Sequence, residues 1–453
     1  MHASFTGFET AIPKPAAVLF HVAFGPPHYP PLDTLGTIFY AAFFIAISLL
    51  TMRRPAYGAC AIIIVMPFAL YQDTADFTIT LPKVAVLAVL LGLSAYRDAF
   101  APIAERVPWR ILTAGLFVLA AMLISFVHAA HAGPVIRQCI KAAGYLLIFC
   151  AVTAAYRLDP DRRAIANASF ATAIAVSLLA LAQEVVGSPS ALLLNGHALP
   201  RIAGPLEGPN QLAGYFDAVI PLALAFTLVE RNTLARLTLF FMIFADILTF
   251  SRGGLIGAAA SIATVAIAMR SQLRAAIMPI LGGIAAGLAV AFSWGVVFES
   301  LGMLRWWDWQ SNYAGGVGTR SELWHAAIVL WKQHPLFGVG AGNFELELPL
   351  AGVRGVRTHA NSLYLQALVE GGIPLLIATL WLVYVSIATF VQERAQSPFV
   401  VAALGAGVAL ALHQTVDFLT FYPKVGGEWW AIMALGAAEL SVVARVRQQQ
   451  ACV

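Results

Sequence analysis

Residues 372–391 read Gly-Ile-Pro-Leu-Leu-Ile-Ala-Thr-Leu-Trp-Leu-Val-Tyr-Val-Ser-Ile-Ala-Thr-Phe-Val, 20 residues without one charged side chain. As a helix this run rises about 30 Å, the thickness of a bilayer's hydrocarbon core. Backbone groups have no water to bond there, so a run of this kind crosses as a helix. Working outward, comparable runs recur at 36–52, 56–71, 82–96, 110–127, 135–156, 164–186, 210–230, 237–250, 253–269, 275–298, 397–418 and 428–446. Those at 56–71, 82–96 and 237–250 are short, so the expectation is an all-α polytopic integral membrane protein with about 12–13 transmembrane helices. The stretch 14–24 is shorter still and runs into Pro26, Pro27, Pro30 and Pro31, and reads as an interfacial piece.

Composition agrees. The chain has 453 residues, 60% apolar and 11% charged, with mean hydropathy +0.80. A soluble domain carries about a quarter charged residues. Soluble enzymes, disordered chains and nucleic-acid binders are excluded. Cys60, Cys139, Cys150 and Cys452 form no CxxC pair and no metal-site or disulfide spacing. No removable signal peptide is read at the N-terminus.

The arginines fix sidedness. Arg53, Arg54, Arg97, Arg106, Arg110, Arg157, Arg162, Arg163, Arg231, Arg236, Arg270, Arg274, Arg394, Arg445 and Arg447 fall in every second link. By the positive-inside rule those links are cytoplasmic. The alternate links 72–81, 128–134, 187–209, 250–252, 299–371 and 419–427 then face outward. Two of them are long, and long ordered loops usually carry function. Trp306, Trp307 and Trp309, in the longer one, read as interfacial anchors.

With the cytoplasmic arginines set aside, Lys14, Lys83, Arg137, Lys141, Arg201, Arg252, Arg305, Arg320, Lys332, Arg354, Arg357 and Lys424 stand against the topology bias. A charge inside the membrane costs at least about 2.5–3.5 kcal/mol, so an anionic ligand or an acidic partner is expected. In Arg201-Ile-Ala-Gly-Pro-Leu-Glu-Gly-Pro-Asn210, Gly208 can cap a helix with Pro209 in its first position. Arg201 then lies beside an anion-favouring helix N-terminus, or it pairs with Glu207. In Ser251-Arg-Gly-Gly254 the arginine sits at the outer boundary, either for an anion or as a snorkelling cap. The glycines allow close backbone approach.

Thr319-Arg-Ser-Glu322 has capping-box form. The amphipathic helix that follows, with Leu323, Ala327 and Leu330 on one face, reads as lying on the membrane surface. Arg320 in its first turn meets either an external anion or water. Phe337-Gly-Val-Gly-Ala-Gly-Asn343 lacks a preceding strand and a full phosphate-loop fingerprint, and reads as a glycine-hinged turn letting backbone approach a ligand.

Thr358-His-Ala-Asn-Ser-Leu-Tyr-Leu-Gln-Ala-Leu-Val-Glu-Gly-Gly372 is the most informative stretch. Thr358 can cap a helix that the glycine pair ends, with Gln366 and Glu370 following down its face. His359 at the N-terminus would be held neutral by the helix dipole, as a general base requires. The plain alternative is a hydrogen-bonded surface histidine. The outer loops lack a DxD motif or a histidine–carboxylate cluster, and Glu345 and Glu347 read as a solvated face. Asp217, Asp246, Glu184, His413 and Asp417 read as ionisable groups inside spans, partnering basic residues or forming a proton path.

At these residues the chain resembles the O-antigen ligase and O-antigen polymerase family of bacterial envelope glycosyltransferases. The resemblance rests on R-x-x-G-x-x-x-x-P-N at Arg201–Asn210, S-R-G-G at Ser251–Gly254, the Arg320–Trp324 helix with H-P-L-F-G-V-G-A-G-N-F to Phe344, and H-A-N-S-L-Y-L-Q-A-L-V-E-G-G from His359. It covers roughly 195–380. It implies a GT-C-like fold with N-terminal transmembrane helices over 1–186, central helices of the ligase-like core over 187–298, a large periplasmic loop with an amphipathic helix and the catalytic motifs over 299–371, and C-terminal helices with a cytoplasmic tail over 372–453.

The implied activity is transfer of a glycan from undecaprenyl diphosphate to the lipid A-core oligosaccharide, on the periplasmic face of the bacterial inner membrane, without a metal or other cofactor and with inversion. His359 would be the base. Arg201, Arg252 and Arg320 would bind the diphosphate, with Asn210, Asn361 and Glu370 in support. Arginine forks suit phosphate and can stabilise charge developing on the leaving oxygen. The expected partners are the lipid-linked donor, the lipid A-core acceptor and membrane lipids, with no nucleic acid and no nucleotide. A polymerase joining lipid-linked repeats, a protein O-oligosaccharyltransferase and a secondary transporter are the alternatives. A transporter would call for inverted repeats and broken helices near the midplane, and no symmetry between halves is visible.

Overall fold

The computed structural model describes residues 34–68, 71–73, 78–187, 190–194, 197–270, 274–293, 320–354, 358–392 and 397–451. The readings at 14–24, Lys14, Arg305, the tryptophans of 306–309, Thr319 and Arg357 lie outside them. Thirteen apolar helices among the described residues coincide with the thirteen expected runs. They are α1 (Thr34–Arg53), α2 (Pro55–Val65), α3 (Leu81–Leu93), α4 (Arg106–Ile124), α5 (Ala132–Leu158), α6 (Arg162–Val186), α7 (Pro209–Val229), α8 (Thr233–Leu248), α9 (Arg252–Ala268), α10 (Arg274–Ser293), then α12 (Leu363–Gln392), α13 (Pro398–His413) and α14 (Pro423–Ala451). Between α10 and α12 lies α11 (Arg320–Gln333).

Among the described residues six helices are long and apolar enough to cross a membrane: α1, α4 with its 3-10 extension, α5, α6, α7 and α12. The chain is an all-α polytopic membrane protein. The shortest apolar helices fall well below a full crossing. The 11 residues of α2 rise only about 16 Å against a core of about 30 Å. Two small hairpins interrupt the helices, β1 (Tyr71–Asp73) with β2 (Thr78–Thr80) and β3 (Ser190–Leu194) with β4 (His197–Arg201).

α7 is the central element, buried along almost its whole length against α8, α9, α13 and α14. Ser251 caps α9 by accepting from the Gly254 amide at 3.2 Å. The glycines that follow admit neighbours. A Cβ on Gly253 would stand 2.4 Å from the His413 ring, one on Gly254 2.3 Å from Ala213 Cβ, and one on Gly257 2.5 Å from Asp217 Oδ2. Into that space fits a buried pair, His413 Nδ1 to Asp217 Oδ2 at 2.6 Å.

The two ends of the bundle differ. At one end Arg54 pairs with Asp159 and Asp161, Arg157 with Glu105, and Arg162 with Glu230 and Glu439. These are the alternate, arginine-rich links, and they share one end as the charge pattern requires. At the other end lie the links at 125–131, 201–208, 249–251, 334–354, 358–362 and 414–422. Ala341 N donates to Ser125 Oγ at 3.0 Å, and Asn343 brackets His131 through two bonds of 3.1 Å.

One expectation is corrected here. The apolar face of α11 does not lie on lipid. Leu323, Ala326, Ala327 and Leu330 are buried against Val339, Phe344, Leu348, Ala360 and Val369 in a small core built by the loop itself. Burial of this face within protein removes the same apolar area from water that a membrane surface would.

Candidate active site

The segment around His359 is not the start of a helix. Asn361 takes a left-handed conformation, φ 49°, so the chain turns once more before α12 begins at Leu363. Ser362, not Thr358, stands at the cap position. The Leu363 amide is claimed by the carbonyls of Gln414 and Asp417, at 2.9 and 3.0 Å, which docks the helix start on the turn after α13. The glycine pair ends the first helical segment of α12, as expected, and a second segment follows it across a kink. Gly372 has φ 63°, ψ −157°, and α12 resumes through Pro374 to Gln392.

His359 is partly buried among aromatic rings, with Phe418, Phe421 and Tyr422 at centroid distances of 5.7, 5.4 and 5.8 Å. Its Nε2 lies 3.1 Å from the Tyr422 hydroxyl. The Asn361 amide donates to Nδ1 at 3.3 Å. A neutral ring with Nδ1 accepting carries its proton on Nε2 and donates it to Tyr422. Burial pushes the His359 pKa below its ordinary value. Asp417 opposes this, and the positive charges of Lys141 and Arg320 add to it. Burial, Asp417 and Glu207 hold the Tyr422 hydroxyl well above its usual range, so it remains protonated.

Arg201 closes β4. Its Nε donates to the Thr249 carbonyl at 2.6 Å and an Nη to Asn210 Oδ1 at 2.9 Å. Asn210 Nδ2 in turn donates to Asp417 Oδ2 at 2.8 Å. A continuous chain thus runs from the R-x-x-G-x-x-x-x-P-N motif to the turn that carries Tyr422. Gly208 and Pro209 start α7 as expected. Glu207 is not the partner of Arg201; it faces Lys424 at 3.6 Å, whose Nζ also donates to the Pro205 carbonyl at 2.5 Å. Arg252 opens α9 one residue after Ser251, whose amide donates to Thr249 Oγ1 at 3.1 Å. Arg201 and the S-R-G-G segment therefore meet at Thr249. Arg320, at the start of α11, is an electrostatic neighbour of His359.

Glu370 does not touch His359. Its Oε1 accepts from Gln366 Nε2 at 2.8 Å and from the Phe344 amide at 3.4 Å. Gln366 Oε1 accepts from the Ala360 amide at 2.7 Å. Glu370 thus steadies the loop beside the histidine through Gln366. The glycine turn serves the same packing. Gly338, Gly340 and Gly342 have φ of 67°, 97° and 75°, and their missing side chains admit Glu370 and Gly371 backbone, Ala129, and Pro134 with Gln138. The close approach expected for a ligand is an approach to protein.

Lys141, Asp417, Tyr422 and Gln414 also belong to this end, and the sequence singles out neither Tyr422 nor Gln414. Lys141 was marked as basic against the topology bias. Asp417 was read inside a span, but α13 ends at His413. Beside Phe418 and Thr420 a cavity of about 110 Å³ opens between α4, α5, α12, α13 and α14, with Lys141, Gln138, Gln366 and Gln414 in its polar lining and Val118, Met122 and Leu382 among its apolar walls. Among the described residues no three His, Cys, Asp or Glu side chains gather as metal ligands.

Residues 237–380 match the family model described as O-antigen ligase. This stretch belongs to the O-antigen ligase family. The O-antigen ligase region begins in α8 and ends in α12. It contains Arg252, Arg320, the glycine turn, His359, Asn361 and Glu370. Arg201, Asn210, Lys141, Asp417 and Tyr422 lie outside it and reach it by folding. No curated protein matches the chain. The match supports O-antigen ligase- or polymerase-type function in general.

Proposed function

We propose that the chain transfers a glycan from undecaprenyl diphosphate to the lipid A-core oligosaccharide, at the periplasmic face of the bacterial inner membrane, without a metal and with inversion at the anomeric carbon. The observation that supports this reading is the Arg201–Asn210–Asp417 chain, which runs into the turn whose Phe418 and Tyr422 pack on and bond His359, at the end of the bundle opposite the arginine-rich links, within and beside the O-antigen ligase region.

Arg201, Arg252 and Arg320 bind the donor diphosphate and stabilise the charge that grows on the departing oxygen. His359 takes the acceptor's hydroxyl proton as that oxygen attacks the anomeric carbon. The proton enters at Nδ1, whose lone pair the Asn361 amide releases to the acceptor hydroxyl, while Nε2 keeps its proton and its bond to Tyr422. The carbon–oxygen bond to the diphosphate breaks, and the lipid diphosphate leaves with the electron pair. Asn210, Asn361 and Glu370 hold these groups in place.

A lipopolysaccharide gel from a strain lacking the protein, with the undecaprenyl-linked glycans extracted in parallel, tests the acceptor. Bare core with long glycan left on the lipid carrier is expected. Core bearing one repeat, with no polymer anywhere, would make the protein a polymerase instead. His359→Ala should lower transfer by about 10²–10⁴-fold, the usual contribution of a general base, with donor binding retained. Near-normal turnover in that variant would remove His359 from the chemistry.

A further inference from the structure

We propose that Lys141 on α5 is a positioning residue that keeps His359 available as the base, by presenting a second positive charge to the imidazole across the ring of Phe421. The inference rests on His359 acting as the base.

The Lys141 ammonium is held in two ways. Nζ donates to the Phe421 carbonyl at 2.9 Å and lies 4.1 Å from the centre of the Phe421 ring. A carbonyl and an aromatic face both favour a cation. The His359 ring packs on the same phenylalanine at 5.4 Å. Phe421 therefore touches both groups. A charge in such a setting is weakly screened.

The balance of charge around His359 gives Lys141 its part. Among the described residues, Asp417 from the turn after α13 favours protonation of the ring, Arg320 from α11 and Lys141 from α5 oppose it, and Tyr422 bonds it. Arg320 belongs to the donor site in the reading above, so its charge is spent on phosphate once donor is bound. The diphosphate then brings negative charge toward the imidazole, which favours imidazolium. Lys141 lies on the cavity side of the turn and takes no part in binding phosphate in that reading. Glu370 is its own acidic neighbour.

The test uses the full-length protein in nanodiscs with two readouts. Diethylpyrocarbonate acylates only neutral imidazole, and the His359 peptide is quantified by mass spectrometry across pH 5–9. In Lys141→Met the midpoint of His359 modification is expected to move to higher pH, with modification at pH 6 about fivefold slower than in the wild type. Lys141→Arg should follow the wild type, and Lys141→Gln should follow Lys141→Met. Transfer assays should show the acid limb moving the same way with the donor KM unchanged. Superimposed modification profiles for the wild type and both neutral variants would overturn the proposal. If His359→Ala keeps transferring, the base reading fails, whereas the modification profile still decides what Lys141 does to the ring.

Discussion

The Tyr422 hydroxyl stands 3.1 Å from Nε2 of His359, joining the long extramembrane loop to the turn between the last two membrane helices. Because Asn361 occupies Nδ1, this contact selects the tautomer. Tyr422→Phe keeps the ring stack and removes the oxygen. One neutral hydrogen bond is worth about 1 kcal/mol, so kcat should fall about fivefold to tenfold while the donor KM holds. Steady-state kinetics on purified protein would show it. An unchanged kcat would mean that the ring is oriented by packing alone.

The pH profile has a definite sign. Burial lowers the His359 pKa, so the neutral ring persists on the acid side of the free imidazole value of 6.5. Activity carried by a neutral base is present above the lowered pKa and is lost as pH falls through it. The acid limb of kcat/KM should therefore lie below pH 6.5. A limb at 7 or above would contradict the burial argument.

Arg201→Lys keeps the charge and loses the fork. Thr249 O and Asn210 Oδ1 cannot both be reached from one ammonium in the same geometry. Hydrogen bonds from a charged donor are worth about 1.5–3 kcal/mol each, so donor affinity should drop roughly tenfold to a hundredfold. Asn210→Ala should show part of the same loss, since it cuts the link to Asp417. Titration with a lipid diphosphate would measure both.

Gly253→Ala places a Cβ where the His413 ring now lies. Overpacking of this kind costs about 1–3 kcal/mol. Thermal unfolding in detergent should come several degrees earlier, with the kinetic constants of the surviving protein near wild type. A normal melting temperature would show that α9 and α13 can separate without penalty.

The membrane helices were legible because lipid imposes one demand on every span, about 20 apolar residues with internal backbone bonds. That demand says nothing of short helices such as α2 and α3, so the run 56–71 covers an 11-residue helix and the turn after it. The motif residues were legible as charges on the wrong side. Their partners were not. Glu207 is six residues from Arg201 in sequence yet faces Lys424, because β4 turns the arginine toward Thr249 instead. The start of α12 was misplaced because Thr358 has a capping residue's chemistry, while the Leu363 amide is claimed from another helix altogether. Tyr422 and Asp417 left no local pattern to read, since their importance comes from a turn that only the packed bundle brings to His359.

The buried His413–Asp217 pair sets an order on biogenesis. The partners are 196 residues apart in sequence, so α7 is synthesised and delivered to the membrane long before α13 exists. An acidic group of that kind is poorly received by lipid alone. Until the ribosome has released the thirteenth helix, α7 must stay sheltered at the insertion machinery or against α8 and α9. This part of the bundle therefore takes its final form only when α13 arrives, and a truncation before residue 413 would leave Asp217 without its histidine.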